Sequence, residues 1–260
     1  MPGASGMADV LLEALKPSAG RNPLGGPVIH LDVIGSTNDL ARELAIAGAP
    51  AGTVVLAEEQ TAGRGRQGRS WIAPPGRALT LSIVVRTGDQ ALALLPLTVA
   101  VAVCEACESV SPVEAAVKWP NDVWIGERKV AGILIEARPQ DRWAVVGIGL
   151  NVDTTTEELP AELRETATSL RIATGGEVGR EAALQALLEA LAGQIEVAPE
   201  ALLEAYRERD ALNGRRIEWT AGSERLAGEA QGVDEDGNLV VFTADGERRT
   251  LAAGEVHLIR

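Results

Sequence analysis

The sequence predicts an α+β fold, in which a mixed, largely antiparallel sheet carries flanking helices and is followed by a small all-β module. Short strand-like runs, some joined by tight turns, share the chain with separate stretches of helical periodicity. After Asn213-Gly214 only short strand-like runs remain, separated by turn dipeptides such as Asp236-Gly237. We therefore expect three parts: an N-terminal tail at 1–27, a large domain at 28–213 and a β module at 214–260.

The first half of the large domain begins with a strand, a polar turn and a helix. Ile29 to Ile34 is strand-like, and the helical pattern that follows runs from Asn38 to Ala47 and stops at Gly48. Further strands are predicted at 53–58 and 78–86. A helix is predicted at 96–110, because Pro96 suits the first turn of a helix. Within the tail, only 8–15 has a helical pattern.

The second half continues with strands and ends with two helices. A strand at 113–119 leads through Pro120 into a hairpin of 123–125 and 129–136. The run 143–151 is nearly all apolar, which indicates a central strand. The remaining elements are helices at 179–197 and 199–211, then strands at 215–219, 226–232, 238–243 and 248–251.

Composition excludes several classes of function. The 260 residues carry a net charge of −13, which argues against nonspecific nucleic-acid binding, since such binding depends on lysines and arginines that neutralise phosphates. No apolar run reaches the length and purity of a membrane span, and the first thirty residues do not resemble a signal peptide. We therefore expect a cytoplasmic protein that does not bind a membrane.

The two cysteines, Cys104 and Cys107, have C-x-x-C spacing, which is compatible with a redox or zinc site. They lie in an apolar stretch, however, and only His30 and His257 could complete a metal site. We interpret them as small buried residues of a helix.

The loop Gly63-Arg64-Gly65-Arg66-Gln67-Gly68-Arg69 is the most informative stretch of the chain. Its three arginines can bind phosphate or carboxylate through two parallel hydrogen bonds each. Its three glycines let the main chain approach a ligand closely. The loop is therefore predicted to clamp an anion.

The same loop matches the G-x-G-x-x-G pattern of dinucleotide-binding folds. That pattern requires the third glycine to open a helix whose N-terminus holds the pyrophosphate. Here Pro74-Pro75 follows shortly after the loop, and no helix core accommodates it. We therefore disfavour the dinucleotide-binding interpretation.

Three further polar groups are predicted to lie at strand ends, where open-sheet enzymes usually place their sites. Ser36-Thr37-Asn38 precedes a helix, so ordinary N-capping is its simpler explanation. Lys118-Trp119-Pro120-Asn121-Asp122 joins a cation, an apolar wall and a possible Mg²⁺ ligand in one turn. Lys129 begins an apolar strand, where it either guards the edge of the sheet or points into a pocket.

Taken together and in this order, these motifs resemble those of biotin protein ligases over about residues 28–260. The resemblance rests on Ser36-Thr37-Asn38, the Gly63–Arg69 loop with Trp71, Lys118–Asp122, Arg128–Leu134 and Gly147-Ile148-Gly149-Leu150-Asn151-Val152. It implies a catalytic domain related to class II aminoacyl-tRNA synthetases and lipoate ligases, followed by an SH3-like barrel. It also implies that biotin and MgATP give biotinyl-5′-AMP, and that a lysine of a biotin carboxyl carrier protein then displaces AMP.

The resemblance suggests a role for each candidate residue. Lys129 is expected to contact the biotin carboxylate and the acyl phosphate, and Arg64, Gly65 and Arg66 to fold over biotin and the phosphate as part of the catalytic machinery. The biotin ureido ring is assigned to Ser36, Thr37, Asn38 and Gln60. The ATP or adenylate site is assigned to Arg69, Trp71, Lys118, Asn121, Asp122 and Asn151, with Asp122 as the Mg²⁺ ligand. No permanent cofactor is expected.

Bifunctional members of this family carry an N-terminal helix-turn-helix domain, and the stretch at 1–27 is too short for one, so we expect a ligase that does not bind DNA. Two alternatives stay open. A lipoate or octanoyl ligase shares the superfold, and a binding module could merely sequester an anionic ligand. The sequence does not indicate the oligomeric state or the particular carrier.

Overall fold

The computed structural model describes residues 22–86, 89–221 and 224–259, with side chains from residue 92 onward in the second range. The helical pattern at 8–15 and most of the 1–27 tail lie outside these residues. The strands are β1 Val28–Ile34, β2 Val54–Gln60, β3 Ala78–Arg86, β4 Ala116–Lys118, β5 Asp122–Ile125, β6 Arg128–Arg138, β7 Trp143–Asn151, β8 Arg216–Ala221, β9 Glu224–Val233, β10 Leu239–Thr243, β11 Arg248–Leu251 and β12 Val256–Leu258. The α-helices are α1 Thr37–Ile46, α2 Asp89–Val110, α3 Leu170–Thr174, α4 Arg180–Ile195 and α5 Pro199–Arg209.

The first seven strands form one mixed sheet in the order β1-β2-β3-β7-β6-β5-β4. Strands β1 and β2 are parallel, and the other neighbouring strands are antiparallel. The predicted α+β class with a mixed, largely antiparallel sheet is therefore confirmed. Strand β7 lies at the centre and is buried along its whole length, as its apolar composition predicts.

Helices pack on both faces of this sheet. Buried side chains of α2 and α4, among them Val99, Val103 and Leu187, share one hydrophobic cluster with Leu81 and Ile148 of the sheet. We call this the back face. On the opposite, front face, α1 packs against one end of the sheet in a second cluster that includes Leu40, Leu44, Val84 and Val145.

The front face beyond α1 is lined by small side chains. The register places Ser82 of β3, Gly147 of β7 and Leu134 of β6 side by side in one row. The next row contains Thr80, Gly149 and Gly132. Because residues two apart along a strand share a face, these two rows form a shallow floor beside α1.

Helix α2 differs from the sequence prediction at its start. It begins at Asp89 rather than at Pro96, so the proline lies inside the helix and not in its first turn. The prediction was wrong because packing against the sheet extends the helix past a residue that cannot donate a backbone hydrogen bond. Cys104 and Cys107 are both fully buried in this helix, as predicted.

The prediction that no apolar run is long and apolar enough for a membrane span was wrong for helix α2. The stretch Leu92–Val110 is long and apolar enough to cross a membrane by length and composition alone. However, 67% of its most apolar window is buried inside the protein. It therefore serves as the core helix of the large domain.

A second, antiparallel sheet in the order β11-β10-β9-β8-β12 follows the large domain. It docks on the large domain through its β9–β10 turn, where the backbone oxygen of Gly237 accepts a hydrogen bond from Trp119 Nε1 at 3.1 Å. Gly237 has a φ of +80°, and a Cβ there would lie 3.2 Å from Leu97 Cδ1. The left-handed backbone favours glycine in this turn, and a Cβ there would also press against α2. Closure of this sheet into an SH3-like barrel stays a prediction.

Candidate functional site

A cleft of about 910 Å³, its open mouth included, lies over the glycine floor of the front face. Almost all of the predicted site residues line it, namely Ser36, Thr37, Asn38, Gln60, Arg64, Gly65, Arg66, Arg69, Trp71, Lys118, Asn121, Asp122 and Lys129. Asn151 does not belong to the lining within the described ranges. It is buried, and its Nδ2 donates to the backbone oxygen of Thr168 at 3.0 Å.

One end of the cleft is a compact set of neutral polar groups. Gln60 ends β2, and its Oε1 accepts from the backbone N–H of Thr37 at 2.8 Å. The hydroxyl of Ser82 on β3 lies 2.7 Å from Thr37 Oγ1 and 2.6 Å from Asn38 Oδ1. Because Thr37 and Asn38 are buried, a ligand here would meet oriented donors and acceptors in place of water.

Ser36 occupies the N-cap position of α1, but among the described residues its side chain makes no capping hydrogen bond. The simpler explanation of Ser36-Thr37-Asn38 as a helix cap is therefore wrong for the serine side chain. Helix α1 begins one residue earlier than predicted, at Thr37, whose hydroxyl lies 3.0 Å from Gln60 Oε1. These side chains turn toward the cleft and the neighbouring strands.

The floor explains why glycines recur in Gly147-Ile148-Gly149. A Cβ at Gly147 would lie 2.1 Å from Asn38 Oδ1, and a Cβ at Gly149 would lie 2.2 Å from Trp71 Cε2. Real Cβ atoms do not approach other atoms so closely, so both positions require glycine to admit those two side chains. The indole of Trp71 consequently packs directly against Gly149 of the sheet.

Lys129 and Lys118 make the other end of the cleft cationic. Lys129 Nζ lies 2.7 Å from Asp122 Oδ1 and 5.8 Å from the centre of the Trp71 ring. Lys118 lies over the ring of Trp124 at 5.4 Å, and burial lowers the pKa of its ammonium group. Lys129 thus points into the cleft, which decides against the edge-guard interpretation.

The Gly63–Arg69 loop folds into a small hairpin at the edge of the cleft. Gly65 N donates to Arg69 O at 2.7 Å, and Trp71 N donates to Gly63 O at 3.0 Å. A short 3₁₀ turn at Arg66–Gly68 is the only helical element in the loop, and the described residues 69–77 contain none. The absence of a helix after the third glycine agrees with our rejection of a dinucleotide fingerprint.

The three arginines connect this loop to three different parts of the molecule. Arg64 Nη2 lies 2.8 Å from Asp39 Oδ1 of α1 and 3.1 Å from Glu136 Oε2 of β6. Arg66 Nη1 donates to Asn121 Oδ1 at 3.2 Å, and burial lowers the pKa of its guanidinium group. Arg69 pairs with Glu255 of the second sheet.

Glu255 brings the second sheet into the cleft. It precedes β12 and lines the cleft together with Gly254 and Val256. The hydrogen bond from Arg69 lowers the pKa of the Glu255 carboxyl and raises that of the guanidinium. The cleft is thus closed on one side by the large domain and on another by the C-terminal sheet.

Three of these side chains were missed by sequence reasoning. Ser82 carried a weak signal, because it is a polar residue inside the apolar run of β3. Glu136 and Glu255 carried none, since acidic residues near strand ends are usually solvated. Each of the three acts through partners that are distant in sequence.

Among the described residues, no group of three or more His, Cys, Asp or Glu side chains is arranged to hold a metal ion. Asp122, the predicted Mg²⁺ ligand, is a single carboxylate engaged with Lys129. One carboxylate together with ATP phosphates is an ordinary environment for Mg²⁺. The donor set therefore suits a metal that arrives with the nucleotide.

Comparison with known proteins gives matches in both parts of the chain. The biotin/lipoate A/B protein ligase family matches residues 30–153, and the biotin protein ligase C terminal domain matches residues 213–258. The biotin–[acetyl-CoA-carboxylase] ligase of Mycobacterium tuberculosis is 36% identical over 246 residues, covering 89% of this chain and 90% of that protein.

Two further relatives extend the comparison. The bifunctional ligase/repressor BirA of Bacillus spizizenii is 34% identical over 242 residues, covering 88% of this chain and 74% of the relative. The solved structure of the Aquifex aeolicus biotin protein ligase, in complex with biotin and ATP, superposes with a TM-score of 0.77. It is 28% identical, and the match covers 90% of this chain and 98% of that one. With similarity that runs through both sheets and includes the cleft between them, the chain belongs to the biotin protein ligase family.

Proposed function

We propose that this protein is a biotin–[biotin carboxyl carrier protein] ligase whose single cleft holds biotin and MgATP together. One observation carries the proposal: the cleft joins a neutral hydrogen-bonding end to a cationic end across a floor rich in glycine. Biotin has a neutral ureido ring and an anionic carboxylate. Its two ends therefore match the two ends of the cleft.

The neutral end would bind the ureido ring. A ureido group has one carbonyl acceptor and two N–H donors, so it needs both kinds of partner. Thr37, Asn38, Gln60 and Ser36 offer hydroxyl and amide groups at this end. Gly147 and Gly149 seat Asn38 and Trp71 against the sheet, so the bicyclic ring would pack on these two side chains.

Lys129 would offset the repulsion between the two anions that react. In the first step a carboxylate oxygen of biotin bonds to the α-phosphorus of ATP, and pyrophosphate leaves with the electrons of the broken P–O bond. Negative charge gathers on the phosphoryl oxygens in the transition state, where a fixed ammonium group stabilises it. Mg²⁺ bound to the nucleotide would supply further charge neutralisation, and Asp122 is the carboxylate that would hold it. Arg69, Lys118 and Asn121 would contact the nucleotide.

Arg64 and Arg66 would hold the loop over the mixed anhydride and exclude water that could hydrolyse it. In the second step the ε-amine of the carrier lysine attacks the acyl carbon, AMP leaves, and the amine loses a proton. The name of the Mycobacterium tuberculosis relative indicates a carboxylase as the source of the carrier. The net charge of −13 supports a ligase that does not bind DNA, and ATP as substrate supports a cytoplasmic location.

Biotin-dependent exchange of labelled pyrophosphate into ATP tests the first step, with lipoate assayed beside biotin. We expect exchange with biotin only. Exchange with lipoate alone would support the lipoate-ligase alternative, and exchange with neither would support a sequestering module. Binding of operator-type DNA at physiological salt would contradict the absence of DNA binding.

A further inference from the structure

The amide of Asn38 is held at both ends by groups behind the wall of the cleft. Its Nδ2 donates to Glu136 Oε2 at 2.8 Å, and its Oδ1 lies 2.6 Å from the hydroxyl of Ser82. Asn38 is 4% exposed, and Gly147 packs against its Oδ1 so closely that a Cβ would lie 2.1 Å away. The side chain is therefore fixed in position. The one change left to it is a flip of the amide, which would exchange the places of its oxygen and its nitrogen.

Glu136 decides which end of the amide carries the hydrogens. A hydroxyl can donate or accept, so Ser82 would tolerate either orientation of the amide. The same is true of Thr37, whose hydroxyl lies 2.7 Å from that of Ser82. A carboxylate only accepts hydrogen bonds, so Glu136 requires the nitrogen of Asn38 on its side. The Ser82 hydroxyl then donates to Asn38 Oδ1, and the single hydroxyl hydrogen of Thr37 is shared between Ser82 Oγ and Gln60 Oε1.

The amide of Gln60 is oriented by a different hydrogen bond. The backbone N–H of Thr37 is a fixed donor, so it requires the oxygen of Gln60 on its side at 2.8 Å. The orientation of Gln60 thus does not depend on Glu136. A substitution of Glu136 should consequently change the orientation of the Asn38 amide and leave that of the Gln60 amide unchanged.

Glu136 itself is not part of the cleft lining within the described residues, whereas Asn38 is. With Oδ1 used by Ser82, the polar group that Asn38 can offer a ligand is its second amide hydrogen. We propose that Glu136 is a positioning residue that keeps Asn38 as a donor and thereby selects ligands with a carbonyl acceptor in this place. The inference rests on the proposed function, because it names the ureido carbonyl as the group selected.

Glu136 has a second contact, through which its substitution could change ligand binding without any change at Asn38. Its Oε2 also lies 3.1 Å from Arg64, so its loss could act by releasing the loop. Asp39 provides a matched control, because it contacts the same Arg64 Nη2 at 2.8 Å. The two carboxylates share the arginine, and only Glu136 contacts Asn38.

The experiment measures, by titration calorimetry, the dissociation constants of biotin and of 2-iminobiotin for the wild type, Glu136→Met and Asp39→Asn. The analogue carries N–H where biotin carries its carbonyl oxygen. Glutamine is not used at 136, because Arg64 would hold its oxygen at the place of Oε2 and that oxygen would still accept from Asn38. In Glu136→Met no acceptor remains, so the amide of Asn38 can turn and accept from the analogue. We expect the ratio of the analogue's constant to that of biotin to fall by about tenfold or more, the value of one buried mismatched hydrogen bond. In Asp39→Asn the ratio should stay within about twofold, as for an exposed ion pair.

Loss of negative charge alone cannot imitate this result, because it would weaken binding of the cationic analogue and raise the ratio. A ratio taken on one preparation also cancels any inactive fraction, and Glu136→Leu, which equally removes the acceptor, should lower the ratio if Glu136→Met folds poorly. An unchanged ratio in both variants, or equal falls in Glu136→Met and Asp39→Asn, would overturn the inference. A wild type that does not bind biotin would instead contradict the proposed function.

Discussion

Replacing Lys129 by methionine should slow adenylation about 10³-fold while leaving the fold intact. The backbone of Lys129 is held independently of its side chain, since its N donates to Thr166 O and its O accepts from Thr168 N, both at 2.8 Å. Its Nζ pairs with Asp122, which also attracts Lys118. Removing the ammonium group therefore leaves Asp122 with another cation nearby, and we expect a cost of about 1–2 kcal/mol in the free energy of unfolding.

The catalytic loss should be much larger. A unit charge about 4 Å from a developing phosphoryl charge, at an effective dielectric constant of about 20, contributes roughly 4 kcal/mol. That is about 10³-fold in rate. The assay is biotin-dependent pyrophosphate exchange, beside urea unfolding of the same variant. Arg128→Met is the matched control, because it deletes a charge from the neighbouring residue of β6, which is not part of the described cleft lining.

If the rate of pyrophosphate exchange in Lys129→Met lies within tenfold of the wild-type rate, this lysine does not stabilise the transition state as assigned. A similar loss in both variants would mean that the effect comes from the overall charge or from the strand, and would equally exclude the role assigned to Lys129.

Three further predictions concern the loop, the floor and a buried acid. Arg66→Ala should speed escape or hydrolysis of bound biotinyl-5′-AMP, because the loop loses its contact with Asn121 at 3.2 Å; unchanged retention of the adenylate would show that the loop is not a lid. Gly149→Ala should displace Trp71, shift the tryptophan fluorescence and cost about 1–3 kcal/mol in urea unfolding, and an unaltered emission spectrum would contradict this. Burial raises the pKa of Asp210 above its unfolded value, so the native state holds a proton that the unfolded state has released, and stability falls as pH rises from about 4 through the raised pKa. Asp210→Asn keeps the oxygen that accepts from Leu212 N at 2.8 Å and should unfold at higher urea at pH 7, without that pH dependence; a lower midpoint would exclude this explanation.

The large elements and most of the cleft could be predicted because their signals are local. The apolar run of β7, the turn dipeptides and the polar groups at strand ends each follow from a few neighbouring residues. Once the strands are placed, Gln60 comes to lie at one end of the cleft and Lys118 and Lys129 at the other.

What could not be predicted depends on contacts between distant residues. The start of α2 at Asp89 is set by tertiary packing, which overrides the usual meaning of Pro96. The short helix α3 and strand β12 are too brief to give a periodic signal. The pairing of Glu136 with Asn38, and of Glu255 with Arg69, joins side chains that no sequence window contains together.

Substitution of the two floor glycines can only reduce the volume that the cleft offers a ligand. Any other residue at Gly147 or Gly149 would shrink the space, and no substitution there can enlarge it, because glycine already has no side chain. Extra volume must come from a neighbour in the same row, and Leu134 is the side chain that lines the cleft beside Gly147. Attempts to make this enzyme accept bulkier biotin analogues should therefore trim the leucine and leave the glycines unchanged.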